Sequence, residues 1–203
     1  MERHDRNELI LEHASALFAE KGIAGTTVRD IAGRAGLLSG SLYHYFPSKD
    51  AIADAIVTSY LDELITRYRE ILAERHDART ALSLLVGASI RVSRTHAHAS
   101  AIYQRETGYL RQLPSHESIR ADARTIRETW ESVLANGAST GAFRDDLPVP
   151  LLYVLIRDAV WLTPHSVMHT QDDGGDDIAE AIVSIFLDGI TARPATPDER
   201  HTR

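Results

Sequence analysis

Residues 26–49 concentrate the groups whose types and spacing could do chemistry: Thr-Thr-Val-Arg-Asp-Ile-Ala-Gly-Arg-Ala-Gly-Leu-Leu-Ser-Gly-Ser-Leu-Tyr-His-Tyr-Phe-Pro-Ser-Lys. Thr26 and Thr27 put hydroxyls and unpaired N–H groups at the start of a helix, where phosphate oxygens are readily held. Ser41, Tyr43, His44 and Tyr45 offer hydrogen bonds to base edges or phosphates, and Gly40 lets a duplex come close. Leu42 and Phe46 are apolar and anchor the same segment to its own domain. Lys49 adds a cation for a phosphate. Arg29 either reaches a phosphate or is a solvated surface charge, and Arg34 faces solvent. These residue types support recognition of a nucleic acid.

Such groups work only if helices of the right length hold them. Ile10, Ala14, Leu17 and Phe18 recur at helical spacing and predict a first helix over 7–21, stopped by Gly22. Thr26 or Thr27 caps a short second helix with Val28, Ile31, Ala32 and Ala35 as its apolar face, and Gly36 breaks it. A third helix over 39–46 follows a very short turn and ends at Pro47. Two short helices joined this way cross steeply, so one lies on a DNA backbone while the other enters the major groove. Ser48 caps a fourth helix over 48–74, roughly 40 Å long, which can tie a small N-terminal unit to a larger C-terminal one. Further helices are predicted over 78–98, 101–113 and 118–139, from 148, and over 176–192, with a loop at 171–175 and a frayed tail from Arg193. Strand signals are nearly absent. The expected architecture is all-α, about nine helices. It comprises a three-helix helix-turn-helix domain over 1–47 and a helical ligand-binding and dimerisation domain over 48–203.

The composition permits this reading. Apolar residues make up 43% of the 203, enough for a packed core, and the absence of cysteine excludes disulfides and thiolate metal sites. No stretch nears the roughly 20 apolar residues of a membrane span, and the N-terminus lacks the apolar run of a secretory signal. A net charge of −7 looks wrong for a polyanion binder until it is divided along the chain. Residues 21–49 hold Lys21, Arg29, Arg34 and Lys49 against Asp30 alone, a local net of +3. Screening confines charge effects to about 8–10 Å, so a small basic face can serve on an acidic protein.

Residues 26–49 resemble the signature of TetR regulators, T-T-V-R-D-I-A-x-x-A-G-V-S-x-G-x-L-Y-x-H-F-x-S-K, almost throughout, and the helical layout extends the resemblance along the chain. The resemblance implies a cytoplasmic, homodimeric transcriptional repressor, not an enzyme and without cofactor. Such a protein binds double-stranded operator DNA and is released by a small-molecule effector. Carried over residue by residue, the resemblance implies phosphate contacts from Thr27, Tyr43 and Lys49, and base or mixed contacts from Ser39, Gly40, Ser41 and His44. The usual signature has Ser where Leu38 stands, at the N-cap of the recognition helix. Either Ser39 takes over the cap or Leu38 touches a thymine methyl. Family members dimerise through their last two helices, and the wide apolar faces of the last two helices here suit that role or a plain core.

A finer resemblance concerns the effector. Residues 36–44, Ile-Tyr-Gln-Arg-Glu at 102–106, Gly-Ala-Phe-Arg-Asp-Asp-Leu at 141–147 and Ile-Arg-Asp-Ala-Val-Trp at 156–161 look like an actinobacterial TetR branch. That branch regulates sterol-ring and fatty-acid breakdown and responds to acyl-CoA thioesters. Arg157 and Trp161 stand four residues apart on one helix face, so the arginine could hold an anionic group and the indole a flat acyl or ring system. Alternatively Arg157 pairs with an acid, Asp158 or Glu106. Tyr103, Gln104, Glu106 and Tyr109 are further candidates, and Trp130 is core or lining. Among ten histidines, His96 and His98 point apart, and His165 and His169 have ligand spacing but no Glu in a His-Glu-x-x-His pattern and a disturbing Pro164, so no metal is expected. Two rival readings remain: a repressor of efflux or other genes, which would want more than 6% aromatic residues, and a helical metal-dependent hydrolase.

Overall fold

The computed structural model describes residues 3–167 and 175–190, and among them no β-strand. The ten helices among the described residues are α1 (Arg3–Gly25), α2 (Val28–Arg34), α3 (Ser39–Leu42), α4 (Lys49–Ala73), α5 (Ala78–Thr95), α6 (Ala97–Arg105), α7 (Thr107–Leu110), α8 (His116–Ser139), α9 (Val149–Val167) and α10 (Gly175–Ile190). No helix among the described residues is long and apolar enough to cross a membrane. The chain divides into two compact units, residues 1–70 with 88–126 and residues 71–87 with 127–203.

In the first unit, α1 buries the expected stripe of Ile10, Ala14, Leu17 and Phe18, and α4 buries Ile52, Ile56, Tyr60, Leu64 and Tyr68. The two tyrosines carry their hydroxyls into the core and need partners there. Tyr60 Oη pairs with Ser93 Oγ at 3.0 Å and donates to Ser100 Oγ at 3.4 Å, while Tyr68 Oη meets Ser89 Oγ at 2.5 Å. An unmatched buried hydroxyl costs about 1–3 kcal/mol. Hence these three serines, polar in the sequence pattern, are buried.

Several helix boundaries differ from the sequence expectation. The first helix does break at Gly22, which sits at φ 76°, but one further turn carries α1 to Gly25. The third helix is regular only over Ser39–Leu42; residues 43–46 continue as tighter turns, with His44 N–H donating to the Ser41 carbonyl and Tyr45 N–H to that of Leu42. Pro47 accounts for this, because it bars its predecessor from helical backbone. The helix expected over 101–113 is two helices, α6 and α7, parted at Glu106 with φ −96° and ψ 24°. Thr107 and Gly108, both poor helix formers, follow that break. The helix expected over 78–98 likewise ends at Thr95, with His96 non-helical and its Nε2 within 2.7 Å of Glu63 Oε2. The break at His96 moves an expected boundary, and the one at Glu106 adds a helix, making ten among the described residues where about nine were expected.

The second unit centres on Trp130, Leu134, Phe143, Ile156 and Val160, all essentially inaccessible. Gly137 on α8 leaves room for the Phe143 ring. A Cβ there would lie 2.7 Å from Phe143 Cγ and closer still to Cδ2 and Cε2. Alanine normally stabilises a helix interior relative to glycine by about 1 kcal/mol. Here the sign reverses: Gly137→Ala is expected to destabilise the protein by about 1–3 kcal/mol through overpacking, read as a lower midpoint in urea unfolding.

Candidate nucleic-acid interface and effector site

Thr27 is the N-cap of α2 and closes a capping box with Asp30. The Asp30 N–H donates to Thr27 Oγ1 at 3.2 Å, and Asp30 Oδ2 accepts from the Thr27 N–H at 2.9 Å and its hydroxyl at 2.7 Å. These bonds from Thr27 hold the Asp30 carboxyl below its ordinary value. Thr27 and Arg29 are exposed. Thr26 is not. It is 1% exposed and its hydroxyl donates to the Gly22 carbonyl at 2.8 Å. This corrects the expectation of a phosphate clamp from both threonines: Thr26 ties the turn inward and only Thr27 faces out.

Leu42 is fully buried and pins α3, leaving Leu38, Ser39, Gly40, Tyr43 and His44 exposed, with Ser41, Tyr45 and Phe46 intermediate. Tyr43 is 53% exposed. Leu38 itself is the N-cap of α3 and makes no side-chain cap bond, and Ser39 is the first helical residue, so Ser39 does not take over the cap. Arg34 pairs with Glu20 at 3.1 Å on the exposed surface.

Lys49 departs most from expectation. Its Nζ donates to the carbonyls of Ile23 at 2.6 Å and Thr26 at 2.8 Å, and lies 5.7 Å from the centre of the Tyr109 ring. Two of its three donors therefore clamp the α1–α2 turn. The Tyr109 hydroxyl donates to Asp50 Oδ1 at 2.6 Å, and burial together with that carboxylate pushes the phenol up to about 12. Tyr109 thus stays protonated and holds the start of α4 instead of offering itself to a ligand. Glu106 packs beside Gly22: a Cβ on that glycine would lie 3.2 Å from Glu106 Oε1, at a backbone φ that already disfavours a side chain.

The effector candidates fall into both units. Tyr103 and Glu106 belong to the first, where the Tyr103 ring lies 6.2 Å from that of Tyr60. Trp130, Arg157 and Trp161 belong to the second. There the two indoles pack at 5.9 Å, tilted by 52°, with Trp130 inaccessible and Trp161 9% exposed. Trp130 is core. Arg157 bonds Asp158 Oδ1 through Nε at 2.9 Å and Nη2 at 2.7 Å, and stands 5.8 Å over the Tyr153 ring. Burial raises the Tyr153 phenol above its ordinary value, and the nearby Arg157 and Arg127 guanidiniums partly offset this. No group of three potential metal ligands occurs among the described residues; the side chain of His165 and all of His169 lie outside them.

The model for bacterial regulatory proteins of the tetR family matches residues 10–56. The chain is 38% identical to the HTH-type transcriptional repressor KstR2 of Rhodococcus jostii, over 92% of each chain. It is 36% identical to KstR2 of Mycolicibacterium smegmatis, over 92% of this chain and 91% of that one. The solved structure of the ketosteroid transcriptional regulator KstR2 of Mycobacterium tuberculosis superposes with a TM-score of 0.87 at 38% identity, covering 93% of this chain and 96% of that chain. The chain belongs to the TetR family. It is a DNA-binding transcriptional regulator with an all-helical TetR fold.

Two features of this TetR-family chain escaped the sequence reading. Tyr153 stands four residues before Arg157 and eight before Trp161, so helical spacing alone places it on their face. The Lys49 clamp had no such signal, because its carbonyl partners lie more than twenty residues away. Removing it would take that donor from the Thr26 carbonyl and leave the Ile23 carbonyl with the Thr26 N–H at 3.3 Å, a cost of about 1–3 kcal/mol. Lys49→Met is therefore expected to lower the thermal midpoint and weaken DNA binding while leaving the slope of log affinity against log salt nearly unchanged. A slope reduced by about one unit per half-site would restore Lys49 as a phosphate contact.

Proposed function

We propose that this chain is a cytoplasmic, homodimeric repressor that acts by binding rather than catalysis, and that releases a pseudo-palindromic operator when a hydrophobic acyl-CoA binds. Residues 1–47 serve as the DNA-binding domain and residues 48–203 as the effector and dimerisation domain. The observation that carries the reading is the exposed polar face of Ser39, Gly40, Tyr43 and His44 on a segment pinned by buried Leu42. Ser41 and Tyr45 border that face, and Thr27 and Arg29 flank it for phosphate contact. One such face spans a half-site, so two copies are needed. Exposed Leu151, Val154 and Leu155 on α9 and Ile185 on α10 supply apolar surface for pairing. The near-full-length likeness to KstR2 repressors supports repression and, since one of them is a ketosteroid transcriptional regulator, an effector derived from sterol breakdown.

Arg157 and Trp161 are proposed to read that effector, with Tyr153 beside them. The Arg157–Asp158 pair is largely solvated, and pairs of that kind contribute about 0–1 kcal/mol. An anionic group of the ligand can therefore replace Asp158 at small cost, while Trp161 meets the apolar part.

Tyr43→Ala is expected to abolish operator binding in a gel-shift titration while helicity and dimer mass stay unchanged; undiminished affinity would remove α3 from the interface. A CoA thioester of a steroid-derived acid, its free acid and free CoA should be compared in melting and DNA-release assays. The thioester is expected to release DNA and to stabilise the protein by about 2.7 kcal/mol at a hundredfold excess over its dissociation constant. Arg157→Ala should lose this response and keep operator affinity. A response to none of the three would end the acyl-CoA reading, and a response to the free acid alone would make Arg157 a carboxylate reader.

A further inference from the structure

Resting on the operator-binding reading, we infer that Leu38 is a specificity-determining residue: its side chain packs on the 5-methyl group of a thymine in each half-site. Leu38 is 80% exposed, more than any other large apolar side chain described. It occupies the N-cap of α3 with extended backbone, φ −75° and ψ 144°, and its side chain makes no cap bond. Ser, Thr, Asp or Asn would stabilise the helix at that position. Leucine there contributes neither a cap nor core burial, so its apolar surface finds no use within the chain.

The surroundings say what covers it. Ser39, Gly40, Tyr43 and His44 are exposed on the same short segment, and Leu42 is buried beneath it. A Cβ built on Gly40 meets nothing within 4 Å, so no wall of the protein stands over this face. The face that enters the major groove therefore carries one large aliphatic group amid polar ones. Of the four bases, only thymine presents an apolar group in that groove, its C5 methyl. Hydrogen bonds from Ser39, Tyr43 and His44 cannot tell thymine from uracil, because both present the same O4 acceptor. A leucine can.

The test uses that difference. The full-length protein selects its operator from random duplexes, and each thymine of the selected site is then replaced singly by deoxyuridine, which removes only the methyl. Wild type is expected to lose roughly three- to fivefold in affinity at one thymine position of each half-site. Leu38→Ala should lose as much on the unmodified operator and nothing further on the deoxyuridine one. Leu38→Ser should raise the thermal midpoint by restoring the cap, yet show the same indifference to the methyl. The exposed position makes misfolding of either variant an implausible cause, and unchanged circular dichroism checks this. No loss at any thymine, or equal losses in wild type and Leu38→Ala, overturns the inference while operator binding stands. If no duplex is selected at all, the operator-binding reading falls and takes the inference with it.

Discussion

The position of the recognition segment depends on one interaction, the clamp of the Lys49 ammonium on the carbonyls of Ile23 and Thr26. A helix of four residues has too few internal bonds to hold itself. Its geometry is imposed from outside, by buried Leu42 and by the turns on either side. Gly22 opens the turn between α1 and α2 with a left-handed φ, Thr26 ties it inward through its hydroxyl, and Lys49 closes it from the first residue of α4. The buried stripe of α4 then fixes Lys49 itself. The same ammonium lies over the Tyr109 ring, and Tyr109 bonds Asp50, so α7 shares in the clamp. Movement at the start of α4 is felt at the turn that carries α2.

That arrangement changes what the local excess of positive charge can do. The count of +3 over residues 21–49 treats four cations alike. In the folded chain Lys49 is turned onto backbone carbonyls and Arg34 is paired with Glu20, while Lys21 and Arg29 remain exposed with Asp30 close by. On the proposed reading, phosphate recognition leans on hydroxyls, phenols and N–H groups more than on lysines and arginines. Such contacts position the protein without releasing many counterions. An interface organised in the proposed way, around directed hydrogen bonds, lets an acidic protein bind a polyanion.

Much of this was legible in the sequence and some was not, for identifiable reasons. The stripes of α1 and α4, the break at Gly22 and the end of the recognition segment at Pro47 follow from local periodicity and backbone chemistry. The choice between Thr26 and Thr27 was not available, since adjacent threonines have equal capping propensity and only packing turns one inward. The break at Glu106 was hidden because Ile102 and Leu110, both buried, sustain a helical repeat across it. Ser89, Ser93 and Ser100 carry no local sign of burial, which follows only from the tyrosine hydroxyls they pair with. Tyr153, by contrast, stood in plain view at helical spacing from Arg157 and Trp161.

Physical limits also bound how the proposed effector can work. A ligand shifts the DNA-binding equilibrium only by the difference in its affinity for two conformers, and a coupling of about 1–3 kcal/mol changes operator affinity about 5–150-fold. Exchange of Asp158 for a ligand anion at Arg157 is close to neutral, since both states pair the guanidinium in solvent. The discrimination must then come from apolar contact. Trp130 is already sealed in the core against Trp161, so only the accessible edge of Trp161 and its surroundings are open to such contact. Burying about 100 Å² more apolar surface in one conformer supplies about 2.5 kcal/mol, within the needed range. In the proposed mechanism a ligand's ring or acyl body thus selects the conformer, and its anionic group supplies orientation.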